Sequence, residues 1–181
     1  SCADAAVNIV AEHKLSPSDI GSVTARVAAD CMPVVCEPLG EKRRPQSGYE
    51  AQFSLPYVVA SAILRGGLTL DDLEPAAFTD PAVLEVCDKV SCEMMAGSSY
   101  PTYFSGEVDI VTNDGRTLTY REQVNRGADK RPLSADEIVT KYRDNASLAF
   151  SADRVDQALD AIMDLDGAST PELIARLLSH A

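Results

Sequence analysis

Two periodicities of apolar residues divide the chain into helices and strands. The stretch up to Leu15 carries apolar residues at helical spacing, and the Ser- and Pro-containing segment 16–19 ends it. From residue 20 to about residue 28 apolar and polar residues alternate, which is the period of a strand with one buried face. The sequence therefore predicts a helix, a break and a half-buried strand.

Capping residues mark two helices in the middle of the chain. Ser54 precedes an apolar stripe, Pro56 falls in the first turn, where a proline is tolerated, and the Gly-Gly pair at 66–67 stops the helix. The Asp-Pro pair at 80–81 starts a second helix, which is predicted to run to about residue 89.

Three more strands are predicted, at 90–95, 103–112 and 116–122. The last two flank Asn113-Asp114-Gly115, whose residues accept the positive φ values of a tight hairpin turn. With the strand near 20–28 they predict an antiparallel sheet covered by helices, which is an α+β fold.

The last third of the chain is predicted to be helical. Ser134 and Glu137 have the spacing of a capping box, and amphipathic stretches follow at 155–163 and 170–178. One small sheet is not expected to cover the apolar faces of these helices and of the first helix. We therefore interpret both flanks as pieces of a second, helical body.

The segment 28–48 is predicted to be a long irregular loop rich in Pro, Gly and charge, and loops of this length are usually functional or mobile. It contains the densest basic run of the chain, which includes Arg43 and Arg44. Guanidinium groups bind carboxylates with two parallel hydrogen bonds. A run of charge is equally typical of a solvated loop, so both interpretations stay open.

Composition excludes several classes of partner. The 181 residues carry a formal charge of −12, and such a surface repels phosphate backbones and anionic membranes, so no nucleic-acid or membrane partner is expected. No apolar run approaches the roughly 20 residues of a membrane span. Five cysteines, an odd number without a Cys-x-x-Cys pair, favour reduced thiols and a cytoplasmic location.

Histidine is scarce, with only His13 and His180 in the chain. A Cys–His nucleophile pair or a His-rich metal site would depend on these two residues near the chain ends. We therefore predict no metal and no cofactor.

The stretch from Pro45 to Ala60, PQSGYEAQFSLPYVVA, is the most distinctive part of the sequence. It resembles the MmgE/PrpD family pattern of a proline, a Lys-Thr-Gly-like turn, Glu-Ala-Lys-Phe-Ser-Leu-x-Tyr and an alanine-rich helix. The Asp-Pro helix start at 80–81 and the stretch from Arg126 to Ser134 follow in the family's order. The resemblance extends over nearly the whole chain.

The resemblance implies a lyase or isomerase made of a large helical domain and a smaller α+β lid, with the active site in the cleft between them. Residues 20–148 would form the lid, and residues 1–19 and 149–181 would belong to the helical domain, most of which is missing. The family includes 2-methylcitrate dehydratase, cis-aconitate decarboxylase and iminodisuccinate epimerase. It therefore implies a small polycarboxylate substrate, proton abstraction next to a carboxylate, and a homodimer of the full-length protein.

The lid is expected to contribute carboxylate binding, and the resemblance points to Arg43, Arg44, Gln46 and Gln52. Family members often carry lysine where this chain has the two glutamines, so the expected cleft has lost positive charge. The glutamines are alternatively caps of turns. A histidine commonly stands in the dehydratase and decarboxylase where this chain has Phe53.

The family resemblance leaves the catalytic residues unassigned. The decarboxylase carries a tyrosine near the position of Met94, which is a further departure. Such losses also fit a second interpretation, a non-catalytic binding or assembly module derived from the family. If the chain is the lid of an enzyme, it is expected to be inactive without the helical domain.

Overall fold

The computed structural model describes residues 1–167 and 170–179, so that His180 lies outside the described part. The chain forms two compact units, Ser1–Pro132 and the part from Leu133 onward. Within the described ranges no helix is long and apolar enough to cross a membrane.

The first unit contains helices and a four-stranded sheet. Its strands are β1 (Ile20–Val27), β2 (Val90–Met94), β3 (Gly106–Thr112) and β4 (Thr117–Glu122). Its helices are α1 (Cys2–His13), α2 (Met32–Val35), α3 (Leu39–Lys42), α4 (Gly48–Gln52), α5 (Leu55–Arg65), α6 (Pro75–Phe78) and α7 (Pro81–Lys89). The segment 28–48, predicted to be irregular, thus includes the short helices α2 and α3.

The sheet has the strand order β2-β1-β3-β4. β3 pairs antiparallel with β1 and with β4, and the Asn-Asp-Gly turn joins β3 to β4 as predicted. β2, however, runs parallel to β1, with Val23 opposite Val90. The α+β class is confirmed, but a wholly antiparallel sheet was wrong, because helices α2 to α7 return the chain to the end at which β1 began.

The predicted strand 103–112 begins later than expected, at Gly106. The backbone N–H of Phe104 donates to Asn125 Oδ1 at 3.0 Å, and the Ser105 hydroxyl donates to the Gln123 carbonyl at 2.8 Å. Side chains and loop backbone therefore take up the hydrogen-bonding groups that a ladder would have used, and the chain bends before β3.

One face of the sheet carries the core. Its fully buried side chains are Val23, Ala25, Val90, Val108 and Ile110. α1 and α5 cover this face, with Ile9 and Tyr57 almost completely buried. A Cβ atom at Gly106 would lie 2.7 Å from Cys2 Sγ, so only glycine lets the start of α1 approach β3 this closely.

The opposite face of the sheet is polar and is organised around Arg26 of β1. Its guanidinium lies 2.9 Å from Glu93 on β2, 2.9 Å from Glu107 and 2.6 Å from Asp109 on β3. Hydrogen bonding to Asp109 is the main reason that the pKa of Arg26 is raised. One cation thus holds three carboxylates across three neighbouring strands.

The second unit contains α8 (Ala135–Ala146), α9 (Ala152–Met163) and α10 (Pro171–Leu178). The predicted capping box is confirmed, since Ser134 Oγ accepts from the Glu137 N–H at 3.2 Å and Glu137 Oε2 accepts from the Ser134 N–H at 2.8 Å. α9 packs against α10 and buries Val155 and Ala158. That 1–19 and 149–181 belong to a larger helical body stays a prediction.

Replacing Arg26 with Met is expected to destabilise the first unit by about 1–3 kcal/mol, because three carboxylates then repel one another without their cation. Burial raises the pKa of Asp109, but hydrogen bonds from Thr119 and Arg26 lower it overall. The contribution of Asp109 to the free energy of unfolding is therefore present above about pH 4, and it is lost as the pH falls through the folded-state pKa of this carboxyl. Urea unfolding should show a deficit that shrinks at acidic pH.

The matched control for Arg26→Met is Arg116→Met. Arg116 pairs with Asp114 at 2.8 Å, but both side chains are more than half exposed. An exposed pair of this kind contributes at most about 1 kcal/mol, so the control should unfold nearly as the wild type does. Equal losses in the two variants would contradict the assigned role of Arg26.

Candidate functional site

A cavity of about 420 Å³ opens in the first unit. It lies between the start of α1, the segment that follows β1, the α4–α5 junction and the loop before β3. Most of the wall is apolar and includes Val27, Val34, Val35, Leu55, Val58 and Phe104. Its polar members include Asp30, Gln52, Ser54 and Ser105. The volume suits a small organic molecule.

Two serine caps shape the α4–α5 junction. Ser47 Oγ accepts the Glu50 N–H at 3.2 Å at the start of α4, and Ser54 Oγ accepts the Tyr57 N–H at 3.1 Å at the start of α5. The cap predicted at Ser54 is thereby confirmed. Because one helix ends and the next begins within three residues, Gln52 and Phe53 are both set in the cavity wall.

Lys42 lies outside the cavity lining and connects two segments that form the cavity wall. Its ammonium donates to the Val34 carbonyl at 2.6 Å and to the Phe53 carbonyl at 2.8 Å. Val34 and Phe53 both belong to the cavity lining. The Lys42 carbonyl in turn accepts a hydrogen bond from the Ser54 hydroxyl. One residue therefore fixes the distance between the segment after β1 and the α4–α5 junction.

Arg43 and Arg44, predicted to bind substrate, lie outside the cavity lining. Arg43 donates twice to the Val90 carbonyl, at 2.6 and 3.1 Å, at the start of β2. Arg44 forms an ion pair with Asp88 of α7 at 2.6 Å and lowers the pKa of that carboxyl. Both arginines hold the loop to neighbouring elements, and their role in substrate binding stays a prediction.

The two predicted glutamines are placed differently. Gln46 Nε2 donates to the Arg44 carbonyl at 2.8 Å, which is the local contact of a turn cap. Gln52 lines the cavity, and its carboxamide makes no hydrogen bond within residues 1–167 and 170–179. Of the four predicted residues, only Gln52 is part of the cavity.

Two thiols, those of Cys2 and Cys31, also line the cavity. Burial raises the pKa of Cys2 to about 11 and raises the pKa of Cys31 as well. Both are therefore neutral thiols near pH 7, and a neutral thiol is a poor nucleophile. All five cysteines are free, as the cysteine count predicted.

Asp30 and the aromatic wall formed by Tyr100 and Phe104 were not predicted from the sequence. The two rings meet edge to face, with centroids 5.4 Å apart. Arg121 holds this loop by donating to the Ala96 carbonyl at 3.0 Å and the Gly97 carbonyl at 2.9 Å. The cluster of aromatic residues was visible in the sequence, but aromatic residues also favour strands.

The sequence belongs to the MmgE/PrpD family. The family model of the MmgE/PrpD C-terminal domain matches residues 1–166. The α+β sheet unit and its cavity are thus the C-terminal part of a protein of this family.

Similar proteins include cis-aconitate decarboxylases. The human enzyme is 29% identical over 97% of this chain and 36% of its own length. The mouse enzyme is 29% identical over 74% of this chain and 28% of its own length. A cis-aconitate decarboxylase-like protein, oryM, of Aspergillus oryzae shows the same identity over the same shares. The chain spans about a third of the length of these relatives.

Replacing Lys42 with Met keeps the alkyl chain but removes both contacts to the cavity walls. The loss is expected to cost about 1–3 kcal/mol, which is typical of hydrogen bonds from a charged donor. Urea unfolding measures the loss. Hydrogen exchange should show faster exchange of the Tyr57 N–H, because its acceptor Ser54 directly follows Phe53, whose carbonyl loses the Lys42 ammonium.

The control for Lys42→Met is Lys89→Met, because Lys89 forms an ion pair with Glu85 at 3.4 Å within one helix. Such pairs contribute roughly 0.3–0.5 kcal/mol. If the two variants lose the same stability, Lys42 does not fix the cavity walls.

Proposed function

We propose that this chain is the C-terminal portion of a lyase or isomerase that removes a proton next to a carboxylate of a small di- or tricarboxylic acid. The observation that carries the proposal is that the family-like stretch 45–60 supplies one side of the cavity. The residues concerned are Gln52, Phe53, Ser54, Leu55 and Val58. The relatives named for decarboxylation of cis-aconitate support a carboxylic acid substrate.

The described lining of the cavity supplies shape and one carboxylate, Asp30, but no cationic side chain. Removing a weakly acidic proton requires a base within hydrogen-bond reach and cations that stabilise the developing negative charge. The described part of the lining holds no lysine, arginine or histidine. The cations therefore come, in this proposal, from the part of the parent protein that this chain does not span, and we assign the base to the same part.

Two positions of the chain bear on which reaction of the family the parent protein catalyses. Phe53 stands in the cavity wall, where the family resemblance leads one to expect histidine. Met94 is 66% exposed at the end of β2, where the resemblance leads one to expect a tyrosine. These two departures favour the broader class of lyase or isomerase over a decarboxylase in particular.

A non-catalytic binding or assembly module is the second candidate. The apolar side chain of Phe53 and the uncharged Gln52 in the cavity favour it, because both positions have lost groups that the family resemblance implies. Turnover by the full-length parent protein decides between the two candidates.

Three further properties belong to the same proposal. Residues 1–19 and 149–181 are assigned to the helical body of the parent protein, which is a homodimer. The free cysteines support a cytoplasmic location.

The isolated chain is expected to show no turnover, whereas the full-length parent converts one or more small polycarboxylic acids. The measurement is an activity screen of both proteins against citrate-like acids and imino-diacids. Turnover by the isolated chain would contradict the assignment of the base to the rest of the parent. A folded but inactive parent would favour the binding module.

The Arg44 proposal is tested in the full-length parent with the pair Arg44→Ala and Asp88→Ala. If Arg44 binds a substrate carboxylate, its loss should raise KM by roughly tenfold or more, since one charge-assisted contact contributes about 1.5–3 kcal/mol. Removing Asp88 frees the guanidinium and should leave KM equal or lower. If neither variant changes KM, Arg44 has a purely structural role.

A further inference from the structure

The cavity contains two polar side chains whose hydrogen-bonding capacity is unused. The Asp30 carboxylate and the Gln52 carboxamide both line it, and neither makes a hydrogen bond within the ranges that the structure describes. Both side chains are exposed to solvent at the cavity. They are therefore available to a bound molecule.

Two serine hydroxyls of the wall are already engaged. The Ser54 hydroxyl donates to the Lys42 carbonyl, and the Ser105 hydroxyl donates to the Gln123 carbonyl at 2.8 Å. Lys42, the cation behind the wall, directs its ammonium to the carbonyls of Val34 and Phe53. Apart from Asp30, Gln52 and the hydroxyl of Tyr100, the cavity therefore offers a ligand mainly apolar contacts.

The charge of the cavity selects against an anionic group. Asp30 is the charged side chain among the described lining residues, and a carboxylate is anionic at neutral pH. A ligand carboxylate placed here meets a like charge and loses water without gaining a cation. An uncharged group with an N–H or O–H donor instead meets an acceptor at Asp30 and apolar walls around it.

We propose that this cavity receives the apolar, uncharged end of the substrate and that Asp30 and Gln52 recognise a hydroxyl or amide group on that end. This inference rests on the proposed function in so far as the ligand is a substrate. It makes Asp30 a specificity-determining residue, because it rejects a carboxylate at this end while the reacting carboxylate is held elsewhere.

The test uses two probes of the same shape, 3-methylbutanamide and 3-methylbutanoate, titrated into the 181-residue chain and followed by the NMR shifts of backbone amides. Ser1 also lines the cavity, so the α-amino group is acetylated in all samples to remove its charge. The amide should shift residues of the cavity wall and bind about fourfold more tightly, the effect of one like charge about 5 Å away at a water-exposed site.

Asp30→Asn should bring the two probes to equal affinity, since the side chain keeps its shape and loses its charge. Gln52→Ala should weaken the amide probe by about threefold, the effect of one lost neutral hydrogen bond. The control is Asp114→Asn in the β3–β4 turn, outside the cavity lining, which should keep the wild-type preference.

Equal or tighter binding of the carboxylate by the wild type overturns the proposal. So does an unchanged preference in Asp30→Asn, a set of shifts outside the cavity, or the absence of shifts with either probe at tens of millimolar. None of these measurements involves turnover. The probe preference can therefore fail while the parent is an active lyase, and it can hold while the parent is inactive.

Discussion

The parallel pairing of β2 with β1 is the constraint on which the first unit depends. Two parallel neighbours need a crossover connection, and here it runs from Ala28 to Lys89. Much of the cavity lining lies on that crossover, in the segment after β1 and at the α4–α5 junction. The cavity thus lies where the crossover leaves the sheet and continues into α5. This helix covers the apolar face of the sheet.

The crossover is closed by three consecutive cations that bind protein groups. Lys42 donates to carbonyls of two cavity-lining residues, Arg43 donates to the first carbonyl of β2, and Arg44 pairs with α7. Carbonyls in short helices and loops lack regular ladder partners, and a charged donor satisfies them better than a neutral one. A basic run in an acidic chain therefore has a structural use that does not require an anionic ligand.

The parts of the fold that were predicted from sequence are those that local chemistry determines. The cap at Ser54, the Asn-Asp-Gly hairpin and the capping box at Ser134 each depend on residues within a few positions of one another. The direction of β2 was not predictable in this way, because an alternating pattern records which face is buried but not which strand lies beside it. The cavity residues Asp30 and Phe104 come from segments 74 residues apart, and only the sheet brings them together.

Two positions in the cavity wall link the sequence departures to the chemistry. Where the family resemblance implies a lysine and a histidine, the wall presents Gln52 and Phe53, so positive charge and a titratable group are both replaced by neutral side chains. The Cys2 and Cys31 thiols of the same cavity stay protonated near neutral pH. A reaction that generates negative charge next to a carboxylate is stabilised by cations in a site that excludes water. This wall is open to solvent and carries an anion at Asp30, so in an active parent the cations at the reacting carboxylate come from outside the lining described here.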